Sequence, residues 1–113
     1  MRRFKSKYGA RKITIDGERF DSKREAARYQ ELRLQEKLGA IRNLQRQVAF
    51  VLLDDYTRPD GVRIRGIKYL ADFVYVAKGG NLIVEDCKGF RTDIYKLKKK
   101  MFEARYGTII KET

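Results

Sequence analysis

Two periodicities divide the chain. Residues 13–20, ITIDGERF, carry apolar positions on either side of Asp16-Gly17, the pair a type I′ turn requires, and read as a short hairpin. Asp21-Ser22 then opens a helix, because Ser22 followed by Glu25 has the form of a capping box. Lys23 to Leu38 is rich in Ala, Leu, Glu, Gln, Lys and Arg, all good helix formers, and Gly39 supplies the stop. Glu25, Tyr29 and Leu32 share one face of this helix, while Ala27, Leu34 and Leu38 form a second apolar face roughly opposite. The spacing alone leaves open which face is buried.

From Leu44 the pattern turns β-branched and aromatic. LQRQVAFVLL (44–53) predicts a strand, DDYTRPDG a polar loop, and Ile64 to Ala77 one or two strands. Lys78-Gly79-Gly80-Asn81 is a hairpin loop, and LIVEDCK (82–88) is the next strand, ended by Gly89. Thr92 caps a second helix over Asp93 to Tyr106, in which Ile94, Leu97 and Met101 have the spacing of a buried stripe, with Lys98 inside the same arc. Gly107 terminates it, and TIIKE forms a final short strand. The order helix, three strands, helix, strand predicts an α/β fold with a mixed sheet flanked by two helices. Residues 1–12 read as a basic arm and 13–113 as one domain.

Composition narrows the chemistry. The chain has no histidine and one cysteine, Cys87, so an intramolecular disulfide and a zinc site are both excluded as expectations, as are Ser–His and Cys–His nucleophiles. Any metal is then held mainly by carboxylates and carbonyls, the donors preferred by Mg²⁺, Mn²⁺ and Ca²⁺. No run approaches the roughly 18 apolar residues of a membrane span. A single cysteine and no apolar leader fit a cytoplasmic protein.

A formal charge of +12 calls for a polyanionic partner, and nucleic acid is the commonest. Arg2, Arg3, Lys5, Lys7, Arg11 and Lys12 cluster at the start with no acid among them, and Lys96, Lys98, Lys99 and Lys100 cluster late. A membrane-surface helix needs an exposed apolar face beneath its lysines, and here that face is required for the core.

Strand alternation singles out three residues. In YLADFVYV, Asp72 falls on the face of Leu70, Val74 and Val76, and in LIVEDCK, Asp86 and Lys88 fall on the face of Leu82 and Val84, opposite Glu85. A hairpin across residues 78–81 can bring Asp72 and Asp86 together at its far end. Two crowded carboxylates repel, and desolvation adds to the cost, but a bound divalent cation reverses the balance. A lysine two residues on suits phosphodiester hydrolysis, where it holds water and stabilises charge on phosphate. The plainer alternative pairs Asp86 with Lys88 structurally and bonds Asp72 to backbone. Glu25 is open to two readings, a helix cap and a site residue. Gln45 and Gln47 read as ordinary strand polars, and Cys87 as a small buried filler.

The spacing D-x₁₃-D-x-K formed by Asp72, Asp86 and Lys88 resembles the PD-(D/E)XK nuclease signature, with Ala71 where the named proline often stands. The predicted element order is similar to that family's restriction-endonuclease-like αβββαβ core. KYGARK, FDSKREA, NLQRQ, YLADFVY, VEDCKG and TDIYKLKKKMFEARYG together resemble a group of short phage and prophage proteins over nearly the whole chain. The resemblance implies a Mg²⁺-dependent endodeoxyribonuclease with Asp72, Asp86, the Cys87 carbonyl and Glu25 at the metal and Lys88 as the catalytic lysine. Its similarity to Holliday junction resolvases suggests branched DNA as substrate, and symmetric cutting of two strands suggests a homodimer. A non-catalytic nucleic-acid-binding protein of the same shape is the alternative.

Overall fold

The computed structural model describes residues 13–113. Strands β1 (Ile13–Ile15) and β2 (Glu18–Phe20) form the expected hairpin. Asp16 and Gly17 both have positive φ, 53° and 79°, as a type I′ turn demands. Helix α1 (Lys23–Lys37) starts at Ser22, whose hydroxyl accepts the Glu25 N–H at 3.1 Å. The buried face is that of Glu25, Ala26, Tyr29 and Leu32, while Leu34 and Leu38 are exposed.

Strand β3 (Ile41–Leu53) begins three residues before the expected start and leads into a small hairpin of β4 (Tyr56–Thr57) and β5 (Arg63–Ile64) where a loop was expected. Strands β6 (Ile67–Ala77) and β7 (Leu82–Asp86), helix α2 (Asp93–Tyr106) and strand β8 (Ile110–Glu112) complete the order. The main sheet runs β3-β6-β7-β8, with β7 and β8 parallel and the other pairs antiparallel. The molecule is therefore a mixed α/β protein with a mixed sheet and two helices, the expected class.

The α2 stripe differs from its prediction. Ile94 and Leu97 are 68% and 56% exposed, Met101 is half-buried, and the inward positions are Tyr95 and Phe102. The physical reason is aromatic packing: Phe102 stands 5.0 Å from Phe50 and 5.3 Å from Tyr69, and an aromatic ring buries more surface than an aliphatic side chain.

The two helices cover two separate interiors. One gathers Leu52, Tyr69, Ala71, Val74, Val84, Tyr95, Phe102 and Ile110, with Val48 and Phe50 packed against it. The other gathers Phe20, Ala26, Tyr29, Leu32, Ile41, Phe73 and Tyr75, with Leu44 against it. Simple alternation would put Ala71 and Phe73 on one face, and Leu44 and Val48 likewise. They lie in opposite interiors, so both strands exchange faces within a few residues. The pairings Arg46↔Phe73 and Val48↔Ala71 set the exchange at the rung between them, Gln47 opposite Asp72, where Gln47 has φ 52°. A left-handed non-glycine residue inside a strand is a local distortion of the bulge kind, which re-aims side chains.

Candidate active site

The distorted rung is where the expected acidic residues meet. Strands β6 and β7 pair Val76↔Leu82 through Phe73↔Glu85, and one further step sets Asp72 opposite Asp86. The face assignment changes in one respect: Leu70 is exposed and Val74 is buried, so Asp72 does not continue a single apolar row. The reason is the exchange of faces beside it.

Each carboxylate is held by identifiable partners. Asp72 Oδ2 accepts the Cys87 backbone N–H at 2.8 Å. Asp86 is 0% exposed, and its Oδ2 accepts a short hydrogen bond from the Tyr69 hydroxyl. Asp86 Oδ1 lies 3.1 Å from Lys88 Nζ, a charge contact rather than an aligned hydrogen bond, and this buried atom has no hydrogen-bond partner among the described residues. The Lys88 ammonium also sits 4.7 Å from the centre of the Tyr95 ring, which steadies it over an aromatic face. β7 ends at Asp86, two residues short of its expected end, so Lys88 extends from irregular backbone.

The electrostatics follow from burial. Loss of water pushes the Asp86 carboxyl up to about 6, with Tyr69 opposing and the Asp72 charge reinforcing the shift. Burial likewise raises Asp72, against the Cys87 N–H, and neighbouring Glu25 raises it further. Burial and the bond to Asp86 push the Tyr69 phenol well above its ordinary range, so it stays a donor.

Glu25 reaches the same region. Its backbone N–H goes to Ser22, but its carboxylate turns to the sheet: Oε2 accepts from Arg46 Nη2 at 3.1 Å and from Gln47 Nε2 at 3.0 Å. Gln47 Nε2 is also 3.3 Å from Asp72 Oδ1, so one amide nitrogen spans the two carboxylates. Among the described residues no three His, Cys, Asp or Glu side chains converge on one metal position. Asp86 Oδ1, which has a charge contact but no aligned hydrogen bond, and the adjacent Asp72 nonetheless offer the anionic oxygens a hard cation prefers. Glu25 is engaged instead by Arg46 and by Gln47, whose amide lies between it and Asp72.

Glu85, on the opposite side of β7, is a structural neighbour. Arg28 of α1 grips both its oxygens at 2.8 and 2.7 Å, and the Tyr75 hydroxyl donates a short bond to it. Burial works against the charge, but Arg28 and Tyr75 hold the Glu85 carboxyl below its usual range. Cys87 is half-buried, and its Sγ meets Thr113 Oγ1 at 3.2 Å.

Of the basic residues, Lys96 and Lys100 are exposed on α2, Lys98 is half-buried, and Lys99 lies 3.5 Å from Glu112. Arg2, Arg3, Lys5, Lys7, Arg11 and Lys12 lie outside the described residues. Gln47, Tyr69 and Arg46 are the site residues that sequence reasoning missed. Their only available signal was register, since 47 faces 72 once β3 and β6 are paired.

No described helix is long and apolar enough to cross a membrane. Fold and site together define a small mixed α/β protein with a buried and a half-buried carboxylate side by side next to a lysine. The chain belongs to the family described as "Protein of unknown function (DUF1064)", whose model matches residues 5–112. No curated protein and no solved structure gives a significant match.

Proposed function

We propose that this chain is a divalent-metal-dependent endodeoxyribonuclease with a restriction-endonuclease-like core. The observation that supports it most is Asp86, a fully buried carboxylate set beside Asp72, one of whose oxygens has no aligned hydrogen bond and only the Lys88 ammonium, at 3.1 Å, for a charge partner. A purely structural pairing of Asp86 with Lys88 has no use for a second, half-buried carboxylate crowded against it.

Asp72 and Asp86 would hold Mg²⁺, with Mn²⁺ as a substitute, and Glu25 and the Cys87 carbonyl are the next nearest candidates. The ion would supply Lewis acidity and offset charge on the phosphate. Tyr69 fixes the Asp86 carboxylate through Oδ2 and leaves Oδ1 facing the Lys88 ammonium. Cys87 N–H fixes Asp72 in the same way. Lys88, half-buried and steadied by Tyr95, would hold the attacking water and place a positive charge beside the scissile phosphate. Exposed Lys96 and Lys100, with the basic arm, suit the DNA backbone, and binding would be salt-sensitive with little sequence reading. Branched DNA is the proposed substrate, by analogy with junction resolvases, and a homodimer the proposed form, because cutting two strands symmetrically needs two sites.

The test is a panel of duplex, single-stranded, flap and four-way-junction DNA with and without Mg²⁺. Cleavage that needs Mg²⁺ and disappears in D72N and K88A, with DNA binding retained, is the expected result. Binding without any metal-dependent cleavage would replace this reading with a non-catalytic nucleic-acid-binding protein. The observation favouring that rival is the engagement of Glu25 by Arg46 and Gln47.

A further inference from the structure

Gln47 occupies an unusual position for its residue type. Its backbone is left-handed, φ 52°, a conformation that costs a non-glycine residue on the order of 1 kcal/mol or more. Gly, Asn or Asp would adopt it more cheaply. It stands opposite Asp72, between the ladder pairs Arg46↔Phe73 and Val48↔Ala71, and its side chain is exposed, so no buried packing explains the choice of glutamine. What the side chain does is specific: Nε2 donates to Glu25 at 3.0 Å and to Asp72 at 3.3 Å. An amide NH₂ has two donor hydrogens and carries partial positive charge there. It is the neutral group best able to lie between two anionic oxygens.

We propose that Gln47 is a positioning residue whose side-chain amide stands in for a divalent cation between Glu25 and Asp72 when no metal is bound, and competes with metal for that position. This rests on the metal-site reading above. The distances give it physical content. Mg²⁺ binds oxygen at roughly 2.1 Å, about 1 Å closer than either oxygen lies to Nε2. Glu25 and Asp72 must therefore close in, and Gln47 Nε2, a donor with no lone pair to offer a cation, must leave. Glu25 then becomes a ligand only after the amide withdraws. The left-handed backbone aims the amide at the gap, and the exposed side chain has solvent to swing into.

The prediction runs opposite to that for an ordinary supporting residue. In Q47A, and in Q47G, where glycine also relieves the backbone strain and so protects folding, Mn²⁺ should bind at least about threefold more tightly than in wild type. The Mn²⁺-induced rise in melting temperature should grow accordingly. Calorimetry and thermal melts on the full chain, with D72N as reference, read both. Unchanged or weaker Mn²⁺ binding in both variants, alongside wild-type binding that D72N abolishes, overturns the role of Gln47 and leaves the metal site standing. Wild type that binds no more Mn²⁺ than D72N removes the metal-site reading itself, and this inference with it.

Discussion

The Asp72 carboxylate accepts the Cys87 N–H at 2.8 Å, which ties the middle of β6 to the point where β7 ends. Asp86 and Lys88 flank that N–H donor. One hydrogen bond thus fixes the relative position of all three residues on which the proposed chemistry depends.

D72N separates chemistry from architecture. Asparagine keeps an oxygen that can accept from Cys87, so the fold should survive and melting should change little. Mg²⁺-dependent cleavage should fall by at least about 100-fold, the scale on which losing a key electrostatic group acts. A gel-based cleavage assay beside a binding titration checks both.

Metal-free stability should depend on pH in a direction unusual for carboxylates. Asp86 is raised to about 6 in the folded protein, and Asp72 is raised too. The folded state then holds more protons than the unfolded state above the normal aspartate value, so stability falls as pH rises through about 4 to 6. Below that window Glu85, whose carboxyl is held low, and Glu112, held near 2 chiefly by Arg91, work the other way and are lost on acidification. Urea unfolding at pH 5 and pH 7 should show the protein less stable at pH 7, with Mg²⁺ reducing the difference. D86N should raise metal-free stability at pH 7 on the order of 2 kcal/mol.

Y69F removes the donor to Asp86 Oδ2 while keeping the ring. Because that bond favours the charged carboxylate, its loss should push Asp86 up further. The acidic limb of the pH–rate profile should shift to higher pH, and the rate at pH 7 should fall. An unmoved limb would mean that Asp86 does not govern the profile.

R28A should be among the most damaging changes outside the site. It leaves Glu85, 0% exposed, with the Tyr75 hydroxyl and a distant Lys111 at 3.9 Å. Breaking a buried pair on one side costs about 3–5 kcal/mol. Chemical denaturation checks it, and the loss should appear with and without metal.

K96A/K100A should weaken binding to all DNA sequences alike. Each lysine is exposed and has no ion pair among the described residues. The slope of log K against log salt should shrink by about 1 for each phosphate contact removed.

Much of this was legible in the chain. Asp16-Gly17, Ser22, Thr92 and Gly107 act through local backbone chemistry, and each does what its type predicts. Asp72, Asp86 and Lys88 could be nominated because a hairpin over residues 78–81 is short enough to fix their register. Ile94 and Leu97 misled because periodicity shows which residues share a face, not which face the sheet will accept. Phe50 and Tyr69, distant in sequence, made that choice. Gln47 was invisible for a related reason. Its meaning comes from a rung 25 residues wide and from a break in alternation that no local pattern records.

That break has a mechanical consequence. The helices guard separate interiors on the two sides of one sheet, with α1 tied to β7 by the Arg28–Glu85 pair, and the acidic residues sit where that sheet is distorted. The proposed metal site at such a break can widen or tighten by a small local shift of β3 against β6, without either helix having to melt.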